Sequence, residues 1–164
     1  MELVIRTLVA ATLLGSCTAG LQETAPAPEL DRDCFRCNVQ PVLAARCAFG
    51  ECHASAQRPL RLYAVGRMRL DVGWDRLGAP LSQAELDANY EVSRGFVADV
   101  QTDSMLLTKP LDTRAGGLYH RAQDLFGDDD VFLSTADPGY ARIAEWIAGA
   151  TAPADCTPTE EVGP

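Results

Sequence analysis

Two thiols and an imidazole stand together in Arg46-Cys47-Ala48-Phe49-Gly50-Glu51-Cys52-His53. Cysteine pairs held close by the chain form thioethers with the vinyl groups of a haem. A histidine directly after the second cysteine then lies where it can ligate the iron. The usual spacing for this chemistry is C-x-x-C-H; here the loop is longer, C-x4-C-H. The chain has only two histidines, so one placed at this point is informative. The motif predicts one covalent haem c, with Cys47 and Cys52 as thioether positions and His53 as proximal iron ligand.

The opposite axial position has two candidates. His120 follows Gly116-Gly117-Leu118-Tyr119, a flexible turn able to present a side chain to a buried metal. Met105 lies among apolar residues in Asp103-Ser104-Met105-Leu106-Leu107. The choice has consequences, because methionine opposite histidine raises the reduction potential. Met68, between Arg67 and Arg69, reads as exposed. Leu43, Phe49, Leu60, Leu106 and Trp146 are candidates to line the haem.

Other chemistries compete for the same residues. Cys47 and Cys52 can instead form disulfides, and Cys34-Phe35-Arg36-Cys37 with Cys52 and His53 has the ligand types of a zinc site. Asp128-Asp129-Asp130 lacks the alternating spacing of a calcium loop and reads as a solvated turn. With two histidines, one beside a cysteine, no Ser-His-Asp arrangement is supported. No glycine-rich phosphate loop is present. These residues favour an electron carrier over an enzyme, with peroxidase-like activity only if the sixth iron position is open. The alternative is a haem-free, disulfide-stabilised surface lipoprotein acting as a structural or binding module.

The start of the chain sets the compartment. Arg6 and the apolar run Leu8 to Leu14 read as an export signal, too short for a stable anchor. Leu14-Gly15-Ser16-Cys17 resembles a lipobox, which implies a signal peptide over 1–16 and acyl chains on Cys17. Such chains anchor a protein without a transmembrane helix. Thr18 after the cysteine, rather than Asp, resembles lipoproteins sorted to the outer rather than the inner membrane. Residues 17–33 contain Ala-Pro-Ala-Pro and read as a flexible tether, 34–150 as one domain, and 151–164 as a tail. Export implies an oxidising compartment. If Cys17 is acylated and Cys47 and Cys52 hold haem, then Cys34, Cys37 and Cys156 remain for one disulfide, its pairing open. The net charge of −9, with no basic patch, argues against nucleic acid and suits a basic redox partner.

The elements that must position these residues are helical. Asn38 is placed to cap a short helix through Ala45, with Val39, Val42 and Leu43 on one face and Pro41 in the first turn. Residues 54–80 read as loop with a short strand. Ser82-Gln83-Ala84-Glu85 is a capping box, stapled by Leu81 and Leu86, opening a helix through about Phe96. A further helical turn begins near Ser104 and stops at Pro110. Asp137-Pro138 starts a last helix, with Tyr140, Ile143, Ala144 and Ile147 as its apolar stripe and Trp146 flanking it, ending at Gly149. The fold class is mostly α, a small domain with long loops.

Val39-Gln40-Pro41-Val42-Leu43-Ala44-Ala45-Arg46-Cys47 resembles the entry to the haem site of cytochrome c-like domains in bacterial envelope proteins, and Glu145-Trp146-Ile147-Ala148-Gly149-Ala150 resembles their terminal helix. The likeness spans most of residues 38–150. It implies a class I-like cytochrome c domain that exchanges electrons with redox partner proteins. It also favours His120 over Met105, since such domains often carry Gly-Gly followed by His in this region. The four-residue loop and the lack of a clear Met-Pro-Pro segment depart from the commonest pattern.

Overall fold

The computed structural model describes residues 29–71, 78–122, 127 and 129–156. The export signal, Cys17 and Asp128 lie outside them. Among the described residues the domain is mostly helical and has no sheet; a single parallel bridge pairs Leu111 with Phe132. No described helix is long and apolar enough to cross a membrane.

The first helix begins earlier than its sequence suggests. α1 (Arg32–Cys34), a π-helical stretch (Phe35–Val39) and α2 (Gln40–Arg46) follow one another without a break. The cap is Asp31, whose carboxylate accepts from the Cys34 amide at 2.5 Å, and not Asn38, which instead donates to the Cys34 sulfur. Pro41 accounts for the π-helical turn. A proline inside a helix lacks its N–H and its ring crowds the carbonyl four residues back. Widening the turn ahead of it relieves that clash while the helix continues.

α3 (Gln83–Arg94) starts at the expected capping box, with Ser82 and Glu85 bonding reciprocally. Glu85 does more than cap. Its carboxylate meets the Arg69 guanidinium at 2.9 Å through each of its two oxygens, and both side chains are only 2% exposed. Arg69 also donates to the carbonyls of Ala79 and Pro80, and Glu85 accepts from the Leu70 amide. One cap thus ties the 61–71 loop to the helix. No strand forms in that loop; the Asn89 side chain instead takes both backbone groups of Tyr63, at 2.8 Å each. Met68 is partly buried against Tyr63, Leu81 and Leu86 rather than exposed.

α4 (Met105–Thr108) is a single turn after a 3-10 turn, Gln101–Asp103. α5 (Pro138–Ile147) begins as expected, with the Asp137 side chain accepting from Gly139 N–H. It packs on the π-helical stretch. Trp146, expected at the edge of its stripe, is central: it is fully buried beside Phe35 (ring centres 5.1 Å apart) and Tyr90 (6.1 Å). The side chains of this cluster also reach the chain ahead of α1. Trp146 donates to the Asp31 carbonyl at 2.9 Å and the Tyr90 hydroxyl to the Leu30 carbonyl at 2.6 Å. Leu30 is buried, so packing begins within the segment expected to be tether. Beyond α5, Cys156 is disulfide-bonded to Cys37, with Cα atoms 6.2 Å apart. Cys34 is not part of this bond; it is a free thiol buried in the core.

Candidate functional site

The Cys47–His53 loop is compact despite its length. α2 ends at Cys47, whose amide bonds to the Leu43 carbonyl at 2.9 Å. The Cys47 carbonyl then accepts from the His53 amide at 3.2 Å, and the Phe49 carbonyl from both Cys52 and Ala54. These turns fold Cys52 and His53 back beside Cys47. Phe49 points away, half exposed under the Arg67 guanidinium at 3.8 Å.

The His120 segment arrives from the far side of the domain. The Leu111–Phe132 bridge, the Leu118 amide on the Thr108 carbonyl (2.8 Å) and the Gly117 amide on the Asp112 carbonyl (3.0 Å) fix its path. Gly116 has φ +92°, a conformation other residues rarely adopt. Gly117 passes so close to the Leu111 backbone that a Cβ there would lie 1.7 Å from its oxygen. The paired glycines therefore make a fixed close approach rather than a flexible turn.

These segments enclose a cavity of about 320 Å3, within the range of small-molecule sites. Cys47, Cys52, His53 and His120 all line it. Leu43, Leu60, Phe96, Leu106, Phe132 and Ile143 supply much of its apolar wall. Of the expected lining residues, Leu43, Leu60 and Leu106 are present; Phe49 and Trp146 are not. Lys109 and Arg121 also lie along it, with Tyr119 and Met105 exposed. Met105 borders the cavity but is 45% exposed, unlike a ligand held in an apolar site.

The two imidazoles face each other. Their ring centres are 6.0 Å apart and their planes differ by 14°. An imidazole nitrogen sits about 2 Å from a metal it ligates, and its ring centre roughly 1 Å beyond, so two rings sharing one metal stand roughly 6 Å apart. Each ring is oriented through Nδ1. His53 Nδ1–H donates to the Leu60 carbonyl at 2.8 Å, and His120 Nδ1–H to the Asp130 carboxylate at 3.0 Å. Both Nε2 atoms are left as the available lone-pair donors. Burial pushes the His53 imidazole below its ordinary value, which keeps it neutral and able to ligate.

Cys47 and Cys52 are free thiols. Burial pushes Cys47 up to about 12, so in this site it is a neutral thiol. The competing zinc set is not assembled. Cys37 is spent on Cys156 and Cys34 is buried in the core, and no group of three or more potential metal ligands occurs among the described residues.

Asp130 is the site residue that sequence reasoning missed. Read as part of a solvated acidic turn, it has a fully buried side chain against His120. The available signal was its position directly before the apolar pair Val131-Phe132.

No protein-family model, curated protein or solved structure matches this chain.

Proposed function

We propose that this chain is a c-type haem protein with a cytochrome c-like domain, carrying single electrons in the bacterial cell envelope from a lipid anchor on Cys17. The observation that carries the proposal is the facing His53–His120 pair across an apolar cavity that two unpaired cysteines also line. A sequence motif accounts for three of these residues; the fourth comes from far along the chain with its Nδ1 already engaged and its Nε2 available.

Haem bound there supplies reversible one-electron oxidation and reduction of its iron. The chain's residues do the rest. Cys47 and Cys52 would hold the group covalently. His53 and His120 would hold the iron through Nε2, with Leu60 and Asp130 orienting their rings. Leu43, Leu60, Phe96, Leu106 and Phe132 exclude water. Two histidines, with Met105 set aside, favour a lower potential than a His/Met pair. Redox proteins are the partners in this proposal, and the chain is a carrier rather than an enzyme because His53 and His120 would both hold the iron.

Expression of the full chain with a cytochrome maturation system, followed by a haem stain on a denaturing gel, tests this. A stained band that disappears in the Cys47→Ala/Cys52→Ala double variant is the expected result. His120→Ala should keep the stain but lose the low-spin spectrum. An unstained wild-type band sinks the proposal and leaves a haem-free lipoprotein stabilised by Cys37–Cys156.

A further inference from the structure

The two imidazoles have unlike supports. His53 leans on a backbone carbonyl, whereas His120 leans on a carboxylate with no exposed side-chain surface. Asp130 is itself held firmly. Its Oδ1 also accepts from the Val131 amide at 2.7 Å, and its own amide lies 3.4 Å from Asp112 Oδ2. Asp112 is buried, accepts from Arg114 Nε at 2.8 Å and Nη2 at 2.7 Å, and through Arg114 connects to Asp129 at 2.7 Å. Asp130 Oδ2 is buried without a hydrogen-bond partner. Burying such an oxygen is costly, so the site retains this carboxyl group at a cost to stability.

We infer that Asp130 is the positioning residue that makes His120 the firmer of the two imidazole ligands, keeping the sixth iron position closed to small molecules. The inference rests on the haem proposal above and goes beyond it in assigning a role to Asp130. A carboxylate acceptor draws the Nδ1 proton more strongly than an amide carbonyl. The opposite ring nitrogen then becomes a better electron-pair donor. The ring is also prevented from turning, because its Nδ1–H points at an acceptor fixed by Val131 and Asp112. A merely structural Asp130 would support the loop without changing how tightly His120 binds.

The test is carbon monoxide titration of the reduced, haem-loaded protein, since carbon monoxide binds only where His120 lets go. Loss of an outer-shell partner weakens a metal ligand by about 10–100-fold. Asp130→Ala should therefore tighten apparent carbon monoxide binding by about 10–100-fold. Asp130→Asn keeps the shape and a neutral acceptor; it should give a smaller rise in the same direction and an upward shift in reduction potential. In a His120→Ala background, Asp130→Ala should add nothing. If Asp130→Ala does not fold, Asp130→Asn still decides. Haem-loaded Asp130→Asn with wild-type carbon monoxide affinity and potential overturns the inference, as does an equal effect of Asp130→Ala with His120 absent. A wild-type chain without covalent haem is instead the failure of the haem proposal, so the two are told apart before any titration.

Discussion

Replacing Cys37 and Cys156 together by serine should remove much of the domain's stability and leave its cavity intact. The disulfide spans 119 residues, from the π-helical stretch at the start of the domain to the chain beyond α5. In the chain-entropy model, closing a loop of that length costs the unfolded chain about 5 kcal/mol of entropy. Single domains are stable by about 5–15 kcal/mol, so a third or more of the total is at stake. For a domain of this size the same loss lowers the melting temperature by roughly 10–20 °C. The bond does not touch the histidine cavity. It borders a separate groove with Arg36, Pro41 and Pro153, while His53 and His120 lie among other residues. Guanidinium unfolding of wild type and variant, followed by far-UV circular dichroism, measures the loss. If the chain is haem-loaded as proposed, the spectrum of the folded variant should match wild type. A stability loss under about 1 kcal/mol would refute the reasoning. It would mean that the Trp146 and Tyr90 hydrogen bonds to Asp31 and Leu30 already hold the start of the domain without the cross-link.

Three further outcomes follow from the geometry. Glu85→Ala should destabilise the fold by about 3–5 kcal/mol, since it strands the buried Arg69 charge. Burial alone would raise the Glu85 carboxyl, but hydrogen bonds from Arg69, Leu70 and Ser82 outweigh it and lower it from 4.5 to about 2. A carboxyl lowered on folding contributes stability that is present above its unfolded value and lost as pH falls through its folded value. Wild type should therefore lose stability between about pH 4.5 and 2, and Glu85→Ala should show a shallower acid limb in urea titrations; parallel limbs contradict the assignment. Gly117→Ala should cost about 2 kcal/mol or more, because its Cβ would collide with the Leu111 backbone. In haem-loaded protein it should also disturb the low-spin spectrum by displacing the His120 segment, and a spectrum like that of wild type counts against the close approach. In haem-loaded protein Met105→Ala should leave the spectrum unchanged, since Met105 is nearly half exposed; loss of a low-spin spectrum would instead assign the distal role proposed for His120 to Met105.

Local chemistry explains which elements were legible. The Ser82–Glu85 capping box and the Asp137-Pro138 start each satisfy helix-end amides with neighbouring side chains, and both form where the sequence places them. Asn38 shows the limit of that logic. It has a capping side chain and Pro41 three positions on, yet the chain before it is already helical, because Asp31 caps earlier and Phe35 is held between Tyr90 and Trp146. Apolar residues alone suggest a short strand within 54–80, but among the described residues no neighbouring strand pairs with that segment, and Asn89 takes that place at Tyr63.

The sequence by itself determined the mostly helical class, the helix starts that depend on adjacent residues, and the grouping of Cys47, Cys52 and His53, whose proximity is guaranteed by a short loop. Tertiary structure alone decided what depends on residues distant in the chain. It paired Cys37 rather than Cys34 with Cys156. It moved Trp146 from the edge of a stripe to the centre of the core. It also turned an acid from a polar run into the buried support of His120 and set that imidazole across a cavity from His53. A residue's type states what it can donate or accept; which partner it meets, and whether water is excluded there, is set only when separate segments pack.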